Sequence, residues 1–237
     1  MSSSRPPDMS SGADDARQQE RDVHKPRVSK LEIAVWVFLL AILVAVAGPF
    51  FMTPRLAADR TTALSSIKCM NLALIAFDND YGRFPDATTI ADVKAATHTT
   101  IPLGDRSSNE LFRQLIAVRN HSEMIFWAPS QGARKKPNNV LGADTLAKGE
   151  CSFAYVAGLS TKHDPSAPVV MGKVITGTTQ FDPAPYGEKA VMLRIDGSAR
   201  PETIRTDTNE VILGGKNLFD PSQPYWHGKA PDLKHPE

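Results

Sequence analysis

The sequence predicts an α+β fold in which a long N-terminal helix packs against a small antiparallel sheet. Three observations predict it. The chain carries no charged residue from Ile33 to Pro54, an apolar stripe at helical spacing follows directly, and short β-rich runs broken by turn residues recur from Ser152 onward.

Residues 1–30 are rich in Ser, Pro, Asp, Arg and Gln and hold almost nothing to bury, so they read as a disordered cytoplasmic tail. Residues 31–54 read as a transmembrane segment, because ~20 apolar residues at ~1.5 Å each match a hydrocarbon core of ~30 Å. A helix of that length in water would present a polar face. Arg5, Arg17, Arg21, Lys25, Arg27 and Lys30 precede the span, against Arg55 and Arg60 after it. That asymmetry predicts a single-pass protein of the cytoplasmic (inner) membrane, N-terminus inside and C-terminal domain exported. Ala45-Val46-Ala47 before Gly48 fits a signal-peptidase site, but the apolar run continues through Phe50, Phe51 and Met52, and the leading tail is long for a signal peptide.

Thr53-Pro54 has the form of an N-cap followed by proline at the first helical position. Leu56, Ala63, Leu64, Ile67, Met70, Leu74, Phe77 and Tyr81 then mark one face of an amphipathic helix over 55–81, closed by Gly82 and Pro85. Residues 82–237 form the globular part. Asp105–Val118 predicts a second helix, capped by Asp105 or Ser108, and Met124–Trp127 a short strand. Strands are expected at Ser152–Val156, Pro168–Ile175 and Ala190–Ile195. Asp196-Gly197 is a hairpin signal leading into the next extended run. From Lys216 the chain reads as irregular, since Pro221, Pro224, Pro231 and Pro236 preclude long elements.

Chemistry-bearing motifs are sparse. The formal net charge is +1 and no basic stripe interleaves with aromatics, so no nucleic-acid partner is expected. No CxxC or Cys/His spacing suits zinc, and no Gly-x-Ser-x-Gly elbow frames a nucleophile. The six histidines are dispersed through tail and loops. We therefore expect neither a catalytic residue nor a resident metal or cofactor. Asp78-Asn79-Asp80-Tyr81-Gly82 shares the opening of a calcium loop but lacks its distal glutamate, and reads instead as a helix-ending turn. Asn120-His121-Ser122 fits a glycosylation acceptor, and Gly214-Gly215-Lys216 lacks phosphate-loop spacing. Cys69 and Cys151 leave two readings open. In an exported domain they could form a disulfide, whose loop of ~80 residues would contribute up to ~4–5 kcal/mol. Otherwise Cys69, beside the stripe residue Met70, is a buried thiol.

The segment Asn71–Pro85 (NLALIAFDNDYGRFP), the run AVMLRIDGSA at 190–199, and the seventeen-residue interval from Glu32 to Pro49 together resemble type IV pilins and the major pseudopilins of type II secretion. The resemblance covers roughly residues 28–204. It implies a non-catalytic, membrane-anchored structural or assembly component of a secretion or pilus-like system. Its expected partners are the lipid bilayer, other pilin-like subunits and secretion-system proteins. Glu32 would be an assembly residue, paired in such families with a neighbour's N-terminal amine, and Pro49 would bend the helix. Some major pseudopilins also hold calcium in a C-terminal loop.

The sequence departs from that pattern at the processing site. Counting back from Glu32, Arg27 and Val28 stand where the family has glycine and phenylalanine. Glu32 also has a local role, since a carboxylate in a helix's first turn is favoured by the positive end of the dipole. The alternative function is a membrane-anchored binding or sensing module that does not polymerise.

Overall fold

The computed structural model describes residues 30–119, 121–129 and 135–237, with the backbone alone for 45–54. The tail, Asn120 of the acceptor pattern and part of the 130–139 loop lie outside the described residues. The chain divides into two compact units, Met1–Phe50 and Phe51–Glu237, each taken by itself below.

Helix α1 spans Lys30–Tyr81, with Glu32 in its first turn. In the second unit its stripe is buried: Ala63, Ile67, Met70 and Leu74 are fully covered and Phe77 nearly so. These positions recur every three or four residues because one face of a 3.6-residue helix meets the core. The helix stops where the chain turns left-handed at Gly82, φ +75°, whose N–H bonds the Asp78 carbonyl at 2.7 Å. Glycine is favoured there because a Cβ would be strained.

Asp86 then caps a 3₁₀ turn, Ala87–Thr89, accepting N–H bonds from Thr88 at 2.7 Å and Thr89 at 3.2 Å. This turn runs into α2, Ile90–Thr97, and α3 follows at Ser108–Arg119. The cap of α3 is Ser107, not Asp105 or Ser108: its Oγ accepts the Glu110 N–H at 3.2 Å. The predicted strand at Met124–Trp127 is a 3₁₀ helix, Glu123–Phe126, because Ser122 Oγ accepts the Met124 N–H and caps it.

Among the described residues, seven strands form one curled antiparallel sheet in the order β6-β5-β4-β3-β2-β1-β7. They are β1 Ala154–Ala157, β2 Pro168–Gly172, β3 Lys189–Arg194, β4 Ala199–Arg205, β5 Glu210–Leu213, β6 Lys216–Asn217 and β7 Asp232–Lys234. Strands β1 and β2 are buried at every position, which places them under cover on both faces. The β3–β4 hairpin turns at Ile195-Asp196-Gly197, with Gly197 left-handed at φ +78° and the Arg194 and Ser198 backbones bonded at 3.0 Å. Phe112 of α3 stacks on Phe126, centroids 5.0 Å apart, and lies 5.1 Å from Tyr155 of β1, joining helix, 3₁₀ turn and sheet in one core.

Two expectations are corrected. The fold is not a long helix laid on a small sheet, because β5, β6 and β7 enlarge the sheet to seven strands. These strands are too short, at four, two and three residues, for alternation to reveal them. The transmembrane segment over 31–54 is also corrected: among the described residues, no helix is long and apolar enough to cross a membrane. With the span go the inner-membrane location, the single-pass orientation and the exported placement of the C-terminal domain.

Candidate functional site

The described residues place their largest apolar exposure on α1 between Leu31 and Val44. Leu31 is 76 % exposed, Trp36 70 %, Phe38 66 % and Val44 64 %, and Ile33, Val35, Val37, Leu39, Leu40, Ile42 and Leu43 are exposed as well. Consecutive residues point to different sides of a helix, so this stretch is apolar all round. Such a helix reaches its stable state covered on every side, and a patch of this extent marks an interaction surface. Glu32 sits at its start, exposed and in the first turn. Pro49 lies within the same helix, and its side chain is outside the described residues. The structure therefore places Glu32 at the start of the apolar stretch.

Cys69 and Cys151 are not brought together. Cys69 is exposed on α1, off the buried stripe, and Cys151 is buried. The Cys151 Sγ lies 3.7 Å from Ser108 Oγ and 3.5 Å from the Phe153 carbonyl. Native protein is accordingly expected to take up maleimide at Cys69 within minutes and at Cys151 only after unfolding. Peptide mapping checks this, and a non-reduced, unfolded chain that labels at neither cysteine would establish the disulfide instead.

The buried polar groups are engaged in holding loops. Glu123, fully buried, accepts the Asn139 N–H at 2.7 Å and the Leu146 N–H, pinning the 135–150 loop to the 3₁₀ turn. Nothing in the local sequence signals this role, since its partners lie 16 and 23 residues away. The Ser107-x-x-Glu110 pattern, by contrast, is a legible capping signal that the alternatives Asp105 and Ser108 obscured. Tyr155 donates to the Pro85 carbonyl at 2.9 Å, and burial, with Asp86 nearby, raises its phenol well above the ordinary value. Asp78 receives the Thr161 hydroxyl at the end of α1, so Asp78–Gly82 serves as a helix-ending turn.

A Ser–His contact does occur, at Ser160 Oγ and His163 Nδ1, 3.0 Å apart. Ser160 is buried, and the same Nδ1 already accepts the Ser160 backbone N–H at 3.0 Å. This is a closed local turn in which the imidazole's acceptor is already occupied, not a base poised beside an accessible nucleophile. Among the described residues, no group of three or more His, Cys, Asp or Glu could hold a metal ion.

Two histidines are expected to make the second unit less stable in mild acid. Burial lowers the His121 imidazole from its ordinary 6.5, with Arg119 adding repulsion, and burial alone lowers His235. The unfolded chain takes up these protons at higher pH than the folded one. Their contribution is therefore full above the ordinary value and is lost as pH falls toward the lowered folded values. Glu110 follows only in stronger acid: burial raises its carboxyl, but hydrogen bonds from Arg106 outweigh that and lower it from 4.5. Thermal midpoints are expected to fall between neutral and mildly acidic pH, and His121→Gln with His235→Gln should flatten that slope. An unchanged slope in the double variant would assign the acid sensitivity to other groups.

No family model, characterised protein or solved structure matches the chain. The assignments to pilin-type secretion, protein transport and the periplasm are thus corrected together with the membrane span.

Proposed function

We propose that this chain is a non-catalytic assembly subunit whose Leu31–Val44 stretch packs against the same stretch of neighbouring copies. The observation that supports this reading is the exposure of large apolar side chains on all sides of one helix segment. A two-helix contact covers only one seam of such a helix, so the reading implies a bundle with several neighbours. Of the resemblance to pilins it keeps one element, the bundling of like helices through their apolar N-terminal halves.

Site-specific photo-cross-linking tests it. With p-benzoylphenylalanine in place of Leu40, irradiation of the full chain is expected to join copies to one another. The same probe in place of exposed Lys162 serves as the control. Equal yields at the two sites, or no self-adduct at position 40, would overturn the reading.

A second reading, a binding module that does not polymerise, is favoured by Arg27 and Val28 standing where a pilin-type processing site has glycine and phenylalanine. A chain that stays monomeric at all concentrations is its signature.

A further inference from the structure

A groove of about 450 Å³ opens where β1 ends, between the turn at 158–163 and the segment 225–232. Its size falls within the range of ~300–1,000 Å³ common to small-molecule sites. The floor is apolar and immobilised. Tyr225 and Trp226 meet edge to face with centroids 5.0 Å apart. The Tyr225 hydroxyl and the Trp226 indole N–H both donate to the Leu218 carbonyl, at 3.1 and 2.9 Å, so their rings are tethered from behind. Val156 and Leu159 complete the floor, and Leu159 is fixed by the Phe84 N–H bonding its carbonyl at 3.0 Å.

The rim is polar and biased toward anions. His163 Nδ1 accepts the Ser160 backbone N–H at 3.0 Å, so the neutral ring carries its proton on Nε2 and offers it as a donor. His227 also lines the groove, held in a left-handed conformation at φ 49°, and Lys229 adds a positive charge. The acidic residue on the rim, Asp232, has its charge countered by Lys234 at 3.1 Å. An aromatic floor beneath a rim of N–H donors suits a ligand that is flat and apolar at one end and anionic at the other.

We propose that this groove binds a small organic carboxylate with a flat apolar body, the body on Trp226 and Leu159 and the carboxylate between His163, His227 and Lys229. This goes beyond the assembly role and is independent of it, because the groove is built entirely from residues after Phe51.

Calorimetric titration of the full chain with 3-phenylpropionate and with its uncharged amide tests the proposal. The acid is expected to bind at one site, about tenfold tighter than the amide. Lys229→Ala should weaken the acid severalfold and leave the amide unchanged, and Ala230→Trp, at an exposed lining position, should fill the groove and abolish both. Equal binding of acid and amide, or no binding of either, overturns the proposal on the unmodified protein alone. Full retention of binding in a folded Ala230→Trp variant overturns it as well.

Discussion

Replacing Phe112 with alanine is expected to destabilise the second unit by about 3–5 kcal/mol. The residue is fully buried, stacks on Phe126 at 5.0 Å and lies 5.1 Å from Tyr155. Truncation removes the transfer energy of an aromatic ring and leaves a hole where α3, the 3₁₀ turn and β1 meet, a place that close packing prevents from collapsing. At about 2–4 °C per kcal/mol for a domain of this size, the thermal midpoint should drop by roughly ten degrees. Phe126→Ala should cost a similar amount. The two together should cost less than their sum, by about 0.5–1.5 kcal/mol, because each ring loses the other as its stacking partner. Urea unfolding of the four proteins checks this. A change below about 1 kcal/mol for Phe112→Ala would place that ring outside the core.

The larger expected effect falls on association. Burying an exposed leucine contributes about 1.5–3 kcal/mol, and placing a carboxylate in the same apolar contact adds a desolvation cost. Leu40→Asp with Leu43→Asp should therefore weaken self-association by at least about 5 kcal/mol, three to four orders of magnitude in the dissociation constant. Both positions are exposed in the single chain, Leu40 at 60 % and Leu43 at 63 %, so folding of the second unit should be untouched. That contrast separates the two predictions: Phe112→Ala moves stability, and the double aspartate moves assembly alone.

Much of the second unit was legible because its signals are local. The stripe Ala63, Ile67, Met70, Leu74 and Phe77 announces a helix face by spacing alone, and those residues are the buried ones. Asp196-Gly197 marks the β3–β4 turn because a left-handed residue is needed at 197. What was not legible depends on partners far away in sequence. Strand β7 exists because Val156 pairs with Leu233, 77 residues on, in a tail whose prolines argue only against long elements. Glu123 is held by Asn139 and Leu146, and without them Met124–Trp127 reads as a strand. On the apolar stretch of α1 the sequence reading went too far. Hydropathy reports that the side chains need cover but does not say what supplies it, and among the described residues no helix is long and apolar enough to cross a membrane. The groove beside Trp226 had no sequence signature, since its walls come from two segments more than sixty residues apart.

Sedimentation velocity of the full chain in detergent-free buffer, over a range of concentrations and beside the double-aspartate variant, tests self-assembly most directly. A discrete, concentration-dependent oligomer of several copies is expected for the natural sequence and a monomer for the variant, with identical far-ultraviolet spectra. A natural chain that sediments as a monomer throughout, or a variant that assembles as well as its parent, would contradict it.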